Sequence, residues 1–141
     1  MAFRPALLLL LILLTGVAAA DPPPDLVLVT HPDVPVESLD MKELRRIYLG
    51  KATRWPGGQT IRPVLLELDH VFDTFVDEVL DRTRENFTVY WKRMVFTGKG
   101  RPPRTFDTVE EVAFYVSNTP GAIGFLPTNA RREGLKIVAI H

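Results

Sequence analysis

Cysteine is absent from the 141-residue sequence, and serine occurs only at Ser38 and Ser117. The absence of cysteine excludes disulfide bonds, thiolate catalysis and a lipid anchor attached to cysteine. Neither serine lies in a Gly-x-Ser-x-Gly segment, and the sequence contains no His-Glu-x-x-His pair. Because the patterns typical of a serine nucleophile or a zinc peptidase are missing, the sequence predicts a protein that is not an enzyme.

An excess of charge is also missing, since 17 basic residues balance 17 acidic residues. A domain that binds nucleic acid usually carries a clear basic excess, so we expect no nucleic acid partner. His70 and Asp73 are three residues apart and could share a metal ion, but no third ligand is evident beside them. We therefore predict neither a metal ion nor a cofactor.

The first 20 residues differ from the rest of the sequence. Arg4 precedes the apolar run "ALLLLLILLTGVAAA", which ends in the small residues Ala18 to Ala20. A basic start, an apolar middle and a small-residue end are typical of a secretory signal peptide, whereas a spanning helix needs about 20 apolar residues. We predict a signal peptide over residues 1–20, an α/β domain over residues 21–141 and a periplasmic or secreted protein; an uncleaved membrane anchor is the alternative.

The hydrophobic pattern predicts four strands and four helices in the order β-α-β-α-α-α-β-β. The strands are predicted over Leu26–Thr30, Val64–Glu67, Ala122–Leu126 and Leu135–Ile140. The helices are predicted after the Asp40 and Glu43 capping box, after a cap at Asp69, from Phe87 to near Gly98, and after an Asp107 and Glu110 capping box. This order is typical of an α/β fold with helices packed on a small sheet.

Trp91 lies on the apolar stripe of the predicted third helix. Tyr90, Met94 and Val95 belong to the same stripe at helical spacing. A large aromatic side chain in such a stripe usually packs in the core. We predict that Trp91 is a core residue, with contact to a ligand as the alternative.

Several segments together resemble the phosphate-type substrate-binding proteins of ABC transporters, above all their small single-lobe exported relatives. The segments are "SLDMKELRRIYLGKATRWPGGQTIRPV" (Ser38 to Val64), "YWKRMVFTGKGRPPR" (Tyr90 to Arg104), "TPGAIGFLP" (Thr119 to Pro127) and the closing "LKIVAI". The resemblance implies one lobe of a type II periplasmic-binding-protein-like fold, with a small mixed sheet flanked by helices. It also implies a small oxyanion such as phosphate as the ligand.

The segment "NTPGAIGFLP" allows two interpretations. In the first, Gly121 adopts a backbone conformation closed to larger residues, and Gly124 lets its strand pass close to a neighbour. In the second, the loop contacts an anion directly. The first is favoured because the loop follows the carboxyl end of a predicted helix, where the helix dipole is negative.

The candidate ligand-binding residues are His70, Arg54, Thr119 and Gly121. At the start of the second helix the resemblance implies Ser, Gly, Thr and Arg as phosphate donors, but this sequence has Glu67 and Asp69, and only His70 could donate. Two functions therefore remain open: a solute-binding-protein-like domain that binds a small oxyanion weakly, or an interaction module that has lost solute binding and has an exported or membrane protein as its partner.

Overall fold

The computed structural model describes residues 25–141, with the side chain of Asp69 outside that description. The predicted signal peptide over residues 1–20 also lies outside the described residues. Within residues 25–141, no helix has the length and apolar character needed to cross a membrane.

A six-stranded mixed sheet forms the centre of the fold, with strand order β2-β6-β1-β5-β3-β4. The central strand β1 pairs antiparallel with both β5 and β6, whereas β3 pairs parallel with β4 and β5. β2 pairs parallel with β6 at the other edge. The strands are β1 Leu26–Thr30, β2 Ser38–Leu39, β3 Arg62–Leu66, β4 Arg104–Phe106, β5 Ala122–Pro127 and β6 Lys136–Ile140. All four predicted strands are confirmed within two residues at each end.

Four α-helices pack against this sheet: α1 Met41–Tyr48, α2 Asp69–Thr74, α3 Arg84–Phe96 and α4 Val109–Asn118. A π-helical turn, Phe75–Val79, continues α2 directly. The Asp40 and Glu43 capping box at the start of α1 is confirmed, with the Glu43 N–H donating to Asp40 Oδ1 at 2.7 Å.

Three predicted helix starts are wrong. The N-cap of α2 is Leu68, so Asp69 is the first residue of that helix and not its cap. α3 begins at Arg84, because the Thr83 side chain caps it by accepting from the Asn86 N–H. The cap of α4 is Thr108, whose hydroxyl accepts from the Glu111 N–H, and not Asp107.

The core is built around three aromatic side chains, Tyr48, Phe75 and Phe125. Phe75 and Phe125 stack with ring centroids 3.8 Å apart, and Tyr48 meets Phe75 edge to face at 4.7 Å. The buried Tyr48 hydroxyl donates to the Val64 carbonyl at 3.0 Å, and its burial raises the pKa of this phenol. These contacts join α1, the π-helical turn and β5 across one face of the sheet.

The opposite face of the sheet is covered by α4 at Gly124. A Cβ atom built on Gly124 would lie 2.9 Å from Cγ2 of Val64 and 3.3 Å from Cγ1 of Val112. The absence of a side chain therefore lets β5 lie close to both β3 and α4. The predicted close approach at Gly124 is confirmed.

Candidate functional site

The carboxyl end of β3 carries an ion-pair cluster. In the chain Glu67 follows the last strand residue, Asp73 lies in α2, and Arg84 opens α3. The Arg84 guanidinium forms a short contact with Glu67 and donates from Nε to Asp73 Oδ1 at 2.7 Å. It also lies 4.2 Å from the ring centroid of Phe72. We call Glu67, Asp73 and Arg84 the carboxylate–arginine cluster.

The two carboxylates neutralise the guanidinium. The hydrogen bond that Arg84 donates to Glu67 raises the pKa of Arg84 against the opposing effect of desolvation, and the bond that it donates to Asp73 raises this pKa further. Two formal negative charges face one positive charge, so the cluster is negative overall. A small anion at this end of β3 would have to compete with Glu67 and Asp73 for the same donors.

His70 is an exposed residue of the first turn of α2, and it lines one pocket together with Asp73 and Arg84 of this cluster. The other predicted ligand residues lie elsewhere. Since β3 and β5 are parallel, with Arg62 opposite Ala122, the turn before β5 lies at the amino end of β3. The five residues of β3 separate the two ends by about 13 Å. The structure does not bring His70 together with Gly121.

Gly121 lies in the turn that precedes β5 and has a φ of +82°. Its carbonyl accepts from the Trp55 indole Nε1 at 2.9 Å and from the Arg62 N–H at 3.1 Å. A Cβ atom on this residue would lie 2.2 Å from the carbonyl oxygen of Thr60. The prediction that Gly121 takes a conformation closed to larger residues is confirmed.

Arg54 and Thr119 lie near this turn and have backbone partners. Arg54 belongs to a small hairpin, opposite Thr60, and its guanidinium donates to the Gly58 carbonyl at 2.8 Å. Thr119 ends α4, and its carbonyl accepts from the Ala122 N–H at 3.1 Å. The structure therefore places Arg54, Thr119 and Gly121 in one region, where their described hydrogen bonds hold the turn and the hairpin.

A carboxylate also faces this turn. Asp33 Oδ1 lies 2.7 Å from His31 Nδ1, and Oδ2 accepts from Gln59 Nε2 at 3.2 Å. Desolvation acts to raise the pKa of Asp33, but hydrogen bonds from His31, Gln59 and the Gly121 backbone outweigh it and lower that pKa. The negative charge beside Gly121 opposes an anion at this turn.

A groove between α3 and β4 lies beside the carboxylate–arginine cluster, and its volume is about 520 Å³. We call it the α3–β4 groove. Its apolar lining comprises Leu65, Phe72, Phe87, Trp91, Val95, Phe96, Pro102 and Pro103. Its remaining lining residues are Glu67, Arg84, Thr88, Lys92 and Thr105. Sequence reasoning missed this groove, because its two walls meet only in the folded chain.

Trp91 lies at the base of the α3–β4 groove and is 5% exposed. Its indole Nε1 donates to the Tyr48 carbonyl at 3.2 Å, which ties α3 to the end of α1. The predicted core position of Trp91 is confirmed. Over residues 25–141, no group of three or more His, Asp or Glu side chains is arranged to hold a metal ion.

Comparison with known proteins gives a structural likeness only. The sequence matches no model of a known protein family and no curated protein sequence. A Clostridium perfringens protein of the phosphate ABC transporter substrate-binding type, solved with phosphate bound, has a TM-score of 0.64 and 24% identity over 82% of this chain and 44% of its own. An ABC-type phosphate transport receptor from Vibrio cholerae has a TM-score of 0.62 and 17% identity over 82% of this chain and 46% of its own.

PstS from Borrelia burgdorferi has a similar fold, with a TM-score of 0.61 and 17% identity over 83% of this chain and 47% of its own. The chain thus spans less than half the length of each of these three proteins. At this level of identity the likeness concerns the fold. The predicted fold class is confirmed: the chain has the α/β fold of part of a phosphate-type substrate-binding protein.

Proposed function

We propose that this protein is an exported binding domain, not an enzyme, and that it binds a small oxyanion such as phosphate only weakly. The carboxylate–arginine cluster at the carboxyl end of β3 is the observation that carries the proposal. In open α/β sheets, ligands bind beyond the carboxyl ends of the strands, and this is where the cluster lies. A solved protein of the same fold contains phosphate, which supports this ligand class.

The acidic residues at this end of β3 limit the affinity for phosphate. Glu67 and Asp73 both contact Arg84, and Asp69 adds a third acidic residue to the same segment. Two like charges 4 Å apart near a protein surface repel by about 4 kcal/mol before salt screening. Micromolar binding corresponds to about −8.2 kcal/mol, so losing the full repulsion of about 4 kcal/mol in affinity weakens micromolar binding almost a thousandfold. We therefore expect no phosphate binding tighter than about millimolar.

Removing an acidic charge from this segment is expected to tighten phosphate binding about tenfold. Glu67→Gln removes one carboxylate partner of Arg84, and Asp69→Ser removes the acidic residue that opens α2. Calorimetric titration with inorganic phosphate at low salt measures both changes. Asp107→Asn, an exposed change in the segment before α4, is the matched control and should bind like the unmodified protein.

Two results would contradict this part of the proposal. One is micromolar phosphate binding by the unmodified protein. The other is an unchanged affinity in both folded variants, since the acidic residues would then not limit the site.

Export is the second part of the proposal, and the first 20 residues of the sequence support it. We expect the mature protein to begin near Asp21. Amino-terminal sequencing of the protein isolated from its own cells measures this directly. Recovery of Met1 from the membrane fraction would instead support an uncleaved anchor.

A second function, an interaction module with an exported or membrane protein partner, is favoured by Phe114 on α4. This side chain is 72% exposed, and exposed aromatic side chains are common at protein interfaces. Native mass spectrometry of the protein purified from its own compartment separates the two functions. A bound protein would favour the interaction module, whereas saturable phosphate binding in the titration, with no protein bound to the purified sample, would favour the binding domain.

A further inference from the structure

Basic residues are concentrated in the segment of sequence that includes α3 and β4. Residues 86–106 contain five basic residues and no acidic residue, although the whole sequence has no net charge. These residues belong to α3, to β4 and to the loop between them. They are Lys92, Arg93, Lys99, Arg101 and Arg104. Of these five residues Lys92 lines the groove, whereas Arg104 lies over the rings of Phe106 and Tyr115. Within this set Lys92 is therefore the cation that favours an anionic ligand in the groove.

Within the groove, the two cations differ in their partners. Arg84 is neutralised by Glu67 and Asp73, as described above. Lys92 is exposed, and none of the ion pairs found between described side chains involves it. Lys92 lies eight residues after Arg84 on α3, toward the end of the groove formed by Val95 and Phe96. The positive charge available to a ligand is thus at this end.

Apolar side chains of the same groove are exposed to water. Phe96 is 93% exposed and Val95 is 53% exposed, while Trp91 and Phe87 beneath them are buried. Exposed apolar surface that continues into a groove often marks a binding site. A ligand that covers Phe96 and Val95 would gain the free energy of removing them from water.

The size of the groove indicates a chain-like ligand. Its lining extends along α3 from Arg84 to Phe96, the full 13-residue helix, which is about 18 Å long. Its volume of about 520 Å³ lies within the range of small-molecule sites, roughly 300 to 1,000 Å³. A phosphate ion would leave most of this apolar length uncovered.

We propose that the α3–β4 groove binds an amphiphilic anion, with an unbranched apolar chain along the groove and the anionic head group beside Lys92. This ligand class is different from the small oxyanion considered above. It is tested with different probes, so the result for one proposal does not decide the other.

The first test is a chain-length series of fatty acid anions. Octanoate, decanoate and dodecanoate are titrated calorimetrically at low salt, each below its micelle concentration. Burial of one methylene group is worth about fourfold in affinity, so each step of two methylenes should tighten binding by about four- to fifteenfold, the lower value applying to partial burial. Dodecyltrimethylammonium, which has an equally long chain but a positive head group, should bind more weakly than dodecanoate.

The second test uses two pairs of matched variants. Val95→Asp places a carboxylate in the apolar groove and should weaken dodecanoate binding at least about tenfold. Its control is Ile137→Asp, because Ile137 is 51% exposed and lies on β6, away from the groove. Lys92→Glu should weaken binding by about three- to tenfold, as expected for reversal of one exposed charge. Its control is Lys42→Glu, an exposed change at the start of α1.

Support requires that dodecanoate binding saturates, depends on chain length and falls only in the two groove variants. The proposal is overturned if dodecanoate shows no saturable binding, or if the control variants lose as much affinity as the groove variants. It is also overturned if the protein sediments with phosphatidylglycerol vesicles but does not bind monomeric dodecanoate, since this surface would then contact a membrane.

Discussion

Replacing Trp91 with alanine is expected to lower the free energy of unfolding by about 3 to 5 kcal/mol, as large aromatic truncations in a core do. The side chain is 5% exposed, and a Cβ atom built on Gly50 would lie 2.8 Å from its Cη2 atom, so the indole packs directly on the backbone after α1. The substitution also removes the donor to the Tyr48 carbonyl. Both losses occur at the junction of α1 and α3.

Phe96→Ala is the matched control for this substitution. It truncates an aromatic side chain of the same helix, but one that is 93% exposed, so the stability change should be within about 0.5 kcal/mol. Urea denaturation with an unchanged m-value compares the two variants on one scale. Equal losses of stability in both variants would show that the position of Trp91 in the core does not determine the effect.

Local sequence predicts the start of α1 well but the start of α4 less well. At α1, Asp40 is the only cap residue that has a glutamate three positions later, and the structure uses that pair. At α4, Asp107 and Thr108 are both good cap residues, and Glu110 and Glu111 follow each at the same spacing. The sequence therefore offers two equivalent capping boxes, and local pattern does not distinguish Asp107 from Thr108, which caps the helix in the structure.

The two short edge strands could not be predicted from local pattern. β2 has two residues and β4 has three, too few for a period-two signal. β2 exists because it pairs with β6, and β4 because it pairs with β3, both distant in the sequence. Because the α3–β4 groove depends on β4, the groove could not be predicted from local pattern either.

In the candidate site, too, local sequence pattern identified some residues and missed those that depend on distant contacts. Glu67 and His70 were recognised because Glu67 ends a predicted strand and His70 lies at the start of a predicted helix. Arg84 was missed because its partner Glu67 is 17 residues away, and a contact of this kind leaves no local pattern. The distance between His70 and Gly121 follows from the parallel pairing of β3 and β5, which hydrophobic periodicity does not determine.

Replacing Gly121 with alanine is expected to cost about 3 kcal/mol or more in folding stability, from strain at a left-handed backbone position and from disturbed hydrogen bonds. The φ of +82° disfavours any side chain at this position. In addition, the new Cβ atom would lie 2.2 Å from the Thr60 carbonyl oxygen, a backbone atom that can move only with its chain segment. Such a shift would disturb the bonds that Trp55 and Arg62 make to the Gly121 carbonyl.

Gly98→Ala separates the backbone strain from the contact with the Thr60 carbonyl oxygen. Gly98 also has a positive φ, +69°, but a Cβ atom there would meet nothing within 4 Å, so only the backbone strain of about 1 to 2 kcal/mol applies. Parallel denaturation of the two variants gives the cost of the contact with Thr60 as a difference. If Gly121→Ala costs no more than Gly98→Ala, that contact is not what requires glycine. If Gly121→Ala is also fully stable but loses phosphate binding, the turn before β5 contacts the anion, and the interpretation of Gly121 as a purely structural residue is wrong.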